Sequence, residues 1–89
     1  MIRRTSYFSG NVQGVGFRYT AQDIARGFNV KGFVRNLADG RVELVTEGDA
    51  GEIERFLAKI GEEMGRFIKK RTHDDSPASG EFLDFGVRH

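Results

Sequence analysis

Apolar residues recur along the chain with two different periods. Phe17, Ala21, Ile24, Ala25 and Phe28 fall on one face of a helix that Gly27 stops. Ile53, Phe56, Leu57, Ile60 and Met64 form the stripe of a second, clearer helix. Asp49 is placed to cap it, Glu52 stands three residues on, as in a capping box, and Gly61 and Gly65 mark its fraying end. Between the helices, Val30–Asn36 and Val42–Gly48 read as strands joined by a turn at residues 37–40, where Gly40 is free to take positive φ. Residues 2–9 make a weaker strand, polar for its position but holding Thr5, Tyr7 and Phe8. After the second helix, residues 67–72 predict a strand, and residues 74–81, with the only proline at Pro77, predict a polar loop. Leu83, Phe85 and Val87 alternate as a last strand.

Strand, helix, strand, strand, helix, strand, with one further strand at the end, predicts the α+β class. The expected architecture is a ferredoxin-like α/β sandwich, βαββαβ with an extra C-terminal strand and two helices on one face of an antiparallel sheet. In that topology the first and second strands run parallel with the third between them. The loop at residues 10–17 and the strand-ending Asn36 then lie at the same end of the sheet.

The 89 residues suffice for one domain, expected to span 1–89. A chain with 38% hydrophobic and 30% charged residues is globular rather than disordered. It has no cysteine, which excludes disulfides, thiol nucleophiles and thiolate metal sites and fits a reducing, cytoplasmic setting. No apolar run exceeds three residues, so neither a membrane span nor a signal peptide is expected. The net charge of +1 is too balanced for nonspecific nucleic-acid binding. Its distribution is uneven: seven Lys/Arg against three Asp/Glu in residues 1–45 give +4, and seven against ten in residues 46–89 give −3. The first half is therefore suited to receive a small anion.

The stretch Gly10-Asn11-Val12-Gln13-Gly14-Val15-Gly16 leads straight into the first helix. Glycines there let backbone amides converge, and a helix start adds the positive end of its dipole. Arg18, in the first helical turn, is mildly unfavourable beside that dipole. Its position makes sense if a dianion sits between the guanidinium and the amides, which it can grip bidentately. The plainer reading is a solvent-exposed arginine after a flexible turn. A Walker A loop is excluded because Val15 and Tyr19 stand where its second glycine is required. The dinucleotide pattern fails at Tyr19.

The segment from Gly10 to Arg18 resembles the phosphate-loop signature of the acylphosphatases. Gly32-Phe33-Val34-Arg35-Asn36, followed by Gly40, Val42 and Gly48, is similar to that family's second signature, with every spacing intact. The chain differs in its polar first strand, in the charged segment after Met64 and in ending on His89. The resemblance implies a ferredoxin-like fold and metal- and cofactor-free hydrolysis of the carboxyl–phosphate anhydride. By position, Arg18 would bind the phosphate and Asn36 would hold the attacking water. The amides of Asn11, Val12, Gln13, Gly14 and Val15 would cradle the phosphate oxygens. The partners implied are a small acyl phosphate as substrate and inorganic phosphate as product or inhibitor, with no nucleic acid and no membrane, and the chain is expected to be a monomer.

The chemistry is consistent with such a site. An acyl phosphate has a carboxylate leaving group of pKa about 4–5, so no general acid is needed at neutral pH. Charge stabilisation and geometry remain to be supplied. Two other classes stay open on the residues: a non-catalytic anion-binding domain, and an RNA-recognition module suggested by Lys31-Gly32-Phe33-Val34. His73-Asp74-Asp75 reads as a solvated loop rather than a metal site, and Gln13 either orients the glycine loop by hydrogen bonding or is an ordinary loop residue. Tyr19 either walls the pocket or simply packs.

Overall fold

A computed structural model describes residues 1–89. The chain runs β1 (Ile2–Gly10), α1 (Phe17–Ala25), β2 (Val30–Asn36), β3 (Val42–Gly48), α2 (Ala50–Met64), a single 3₁₀ turn (Gly65–Phe67), β4 (Ile68–Pro77) and β5 (Phe85–Arg88). The five strands form one sheet in the order β4-β1-β3-β2-β5. β1 and β2 both run antiparallel to β3, so they are parallel to each other, and the only parallel pair in direct contact is β2 with β5. This is the ferredoxin-like arrangement expected from the order of elements. No helix is long and apolar enough to cross a membrane.

Both helices lay their apolar stripes on one face of the sheet. Ile53, Phe56 and Ile60 of α2 are fully buried, and burial of side chains this size stabilises by about 1.5–3 kcal/mol each. Phe8 of β1 meets Phe17 of α1 with ring centroids 5.1 Å apart, which seats the start of α1 against the end of β1. Phe56 meets Phe28 at 6.0 Å and Phe85 at 5.4 Å, tying α2 to the α1–β2 connection and to β5. The glycine loop is thus held between two strongly packed elements.

Four details differ from the sequence pattern. The stretch 74–77 is not loop, because β4 continues to Pro77 with Asp75 opposite Arg4 and Asp74 opposite Thr5 of β1. Arg4 faces the core side of β1, and its guanidinium is satisfied there by Asp75, at 2.8 and 3.0 Å, and by Glu54 of α2. Polar residues read as loop can therefore be strand where an inward arginine needs partners. Second, Leu83 lies outside β5, which begins at Phe85, and is 91% exposed. Third, Asp49 caps α2 through the N–H groups of Gly51 and Glu52, but Glu52 does not reach back to close the box. Its carboxylate instead accepts the Asn29 N–H at 2.8 Å and pins the end of the α1–β2 connection. Finally, Gly61 sits inside α2, which runs unbroken to Met64.

The opposite face of the sheet is covered by long side chains and by residues 78–84. Glu47 of β3 accepts N–H groups from Ser79 and Gly80 and the Ser79 hydroxyl, and pairs with Arg3. Phe82 stacks on Phe33 at 5.8 Å, with the Arg3 guanidinium over its ring. These contacts cover Glu47, and β3, with the helices on its other face and strands on both sides, is buried at every residue.

Candidate active site

Gly14 and Gly16 carry the loop into α1 in left-handed conformation, with φ of 76° and 79°. A Cβ at either position would meet nothing within 4 Å, so backbone conformation rather than crowding calls for glycine there. Gly16 is the N-cap of α1 and offers no side-chain acceptor, and the first turn holds no acidic residue. The consequence is a run of unspent donors. The N–H groups of residues 12–19 find no acceptor within the chain. Together with the helix dipole they make a ready site for an anion.

The loop is fixed at three points. Val12 is fully buried in the core and anchors its middle. The Asn11 N–H donates to Phe67 O at 2.9 Å. Gln13 donates through Nε2 to Leu37 O at 2.8 Å and Arg41 O at 2.9 Å. The first of those carbonyls belongs to the residue after Asn36, so Gln13 holds the loop at a set distance from the end of β2.

Arg18 and Asn36, eighteen positions apart in sequence, line one cleft of about 270 Å³ with Val12, Gly14, Gly16, Phe17 and Tyr19. Arg18 is the only charged residue of the lining, and no carboxylate shares it. The Asn36 carboxamide makes no hydrogen bond within the chain, and Asn36 is half-buried at the strand's last position. Tyr19 is 57% exposed at the rim and so walls the cleft rather than packing in the core.

The expected phosphate donors differ in where the fold leaves their amides. The Asn11 amide donates to Phe67 O. Gln13 and Val15 keep free amides but do not line the cleft, while Gly16 does. The Gln13 side chain takes the orienting role, not a plain loop role. A further contact had no local sequence signal. Arg18 Nη1 donates to Arg88 O at 3.2 Å and lies 3.4 Å from His89 Nδ1. The Tyr19 and His89 rings are 6.4 Å apart. Parallel pairing of β5 with β2 brings the chain's last residues to the first turn of α1, and only the sheet order makes them neighbours.

Comparison with known proteins points one way. The family model described as Acylphosphatase matches residues 4–87. The chain is 47% identical over 60 residues, 67% of each chain, to an acylphosphatase of Archaeoglobus fulgidus. It is 41% identical over 88 residues to an acylphosphatase of Paenarthrobacter aurescens, covering 97% of this chain and 93% of the other. A crystal structure of acylphosphatase from Bacillus subtilis superposes with a TM-score of 0.89 at 26% identity, covering both chains completely.

Proposed function

The chain belongs to the acylphosphatase family, and from that membership we propose how its cleft hydrolyses a small acyl phosphate. The free amides from Val12 onward and the Arg18 guanidinium hold the phosphoryl oxygens. The Asn36 carboxamide holds a water in line behind the phosphorus. The water oxygen forms a bond to phosphorus as the bond from phosphorus to the acyl oxygen breaks, and the electron pair leaves with the carboxylate. An amide is no base near neutral pH, so the water's proton passes to a phosphoryl oxygen of the substrate. The products are a carboxylate and inorganic phosphate, which competes for the same donors as an inhibitor.

One observation carries this reading: Arg18 and Asn36 line the same cleft as the N-terminal turn of α1, whose amides are unspent. Stabilisation of this kind acts on charge at the transferring phosphoryl group and needs neither a nucleophilic side chain nor a metal. The five strands form one sheet and the family model spans residues 4–87, in keeping with residues 1–89 acting as a single domain and as a monomer, and the net charge of +1 leaves no basic footprint for nucleic acid. The absence of cysteine supports a cytoplasmic setting.

The test compares wild type and Arg18→Ala on benzoyl phosphate and on a simple phosphate monoester. Wild type should release phosphate from the acyl phosphate and leave the monoester essentially untouched, since monoester hydrolysis demands a far larger rate enhancement. Arg18→Ala should lose both affinity and turnover. Equal turnover of the two substrates, or saturable binding without turnover, would contradict the proposal.

A further inference from the structure

Strand β4 lies at the edge of the sheet, paired with β1 on one side only. Its outer row of backbone donors and acceptors faces no other strand, and nine of its ten residues are exposed. Open edges of this length invite pairing with another strand unless charge or shape prevents it. The charges here are sorted along the strand: Lys69, Lys70 and Arg71 at one end, Asp74 and Asp75 at the other. Lys69, Lys70, Arg71 and Asp74 have no ion-pair partner within the chain, and Asp75 is shared with Arg4.

We propose that the chain pairs with a second copy of itself through antiparallel addition of β4 to β4, centred on Thr72. Sheet geometry selects this register. Residues directly opposite in an antiparallel pair share a face, and a two-fold axis through the sheet preserves faces. Residues meeting across the axis must therefore have numbers of the same parity. Centring on Thr72 sets Lys70 opposite Asp74, twice by symmetry, and both side chains are without a partner in their own chain; Lys69 sits at the bulge where the pairing with β1 shifts register and stays outside the regular ladder. Centring on His73 leaves Arg71 opposite Asp75 as the only complementary pair, and Arg4 already holds that carboxylate at 2.8 and 3.0 Å; centring on Arg71 leaves none. Parallel pairing would set like charges together along the whole strand. Only Arg71 opposite His73 lacks complementarity in the favoured register, and Pro77, which cannot donate to a ladder, falls beyond it. The same charges that repel unrelated strands therefore admit this strand's own copy. Each cleft remains complete within its own chain, so the association does not depend on the catalytic reading.

Sedimentation across a concentration series tests the proposal, at ~0.01 M salt, where charges act over about 30 Å, and at ~1 M, where they act over about 3 Å. Wild type should pass from monomer to dimer with rising concentration in low salt, and less readily in high salt. Lys70→Glu and Asp74→Lys change exposed residues without in-chain partners. Each turns two attractive cross-strand pairs into repulsive ones and should weaken association about tenfold. An equimolar mixture of the two variants should regain association, because the carboxylate introduced at position 70 of one copy then faces the ammonium introduced at position 74 of the other. Wild type sedimenting as a monomer throughout would overturn the proposal. So would a dimer that tolerates both substitutions, or a mixture no better associated than either variant alone.

Discussion

Asn36 and Arg18 line the same cleft, and if they do the different work proposed for them their alanine variants should separate kinetically. In the proposed mechanism Asn36 holds the water and not the phosphate, so Asn36→Ala should lower kcat about 10²-fold with KM nearly unchanged. Arg18 is assigned to phosphoryl charge in both the bound substrate and the transition state, so on that proposal its loss should appear in KM and kcat together. Steady-state kinetics on benzoyl phosphate resolve the two cases. An Asn36→Ala protein with a raised KM and intact kcat would assign the carboxamide to binding instead. Gln13 illustrates how a residue can matter without touching either partner. Its two bonds to Leu37 O and Arg41 O set the separation between the loop and the end of β2. The hydrogen-bonding role was visible in sequence as one of two options, and only the folded hairpin supplies its acceptors.

At the scale of elements, the polar face of the sheet carries the pH dependence. Burial pushes the Glu47 carboxyl up, but the Ser79 N–H, the Arg3 guanidinium, the Ser79 hydroxyl and the Gly80 N–H outweigh it and hold the pKa at about 2. The folded chain therefore prefers the ionised form more than the unfolded chain does. That stabilisation is complete above the ordinary value of 4.5 and is lost as pH falls towards 2. Asp75 and Glu54, lowered chiefly by their hydrogen bonds to Arg4, act in the same direction. The thermal midpoint of wild type should fall across this acid window. Glu47→Gln should start lower at neutral pH and fall less steeply; an equally steep fall in the variant would remove Glu47 from the explanation. Little of this was legible in sequence. The bounds of β2, β3 and most of α2 follow from alternation and helical period, because each buries an apolar face against a neighbour. The far half of β4 gives no such signal: residues 67–72 read as strand, but beyond them the exposed polar side chains of this edge strand look like those of a loop. The cover that residues 78–84 place over Glu47 is a contact across more than thirty positions with no periodicity to announce it.

For the whole molecule, the sheet order turns two short sequence motifs into one site. Parallel β1 and β2, separated by β3, bring the glycine loop and Asn36 to a common end. That consequence could be drawn from the order of elements before any coordinates. The addition of β5 beside β2 could not be, since its short strand does not reveal which edge it joins. It delivers Arg88 and His89 to Arg18. The central claim is that the cleft directs water onto phosphorus rather than onto the acyl carbon. Turnover of benzoyl phosphate in ¹⁸O-enriched water tests it most directly, with the label located in the products by mass spectrometry. The heavy oxygen should appear in inorganic phosphate and not in benzoate; label in benzoate would mean attack at the carbonyl and would contradict the assigned roles of Arg18 and Asn36.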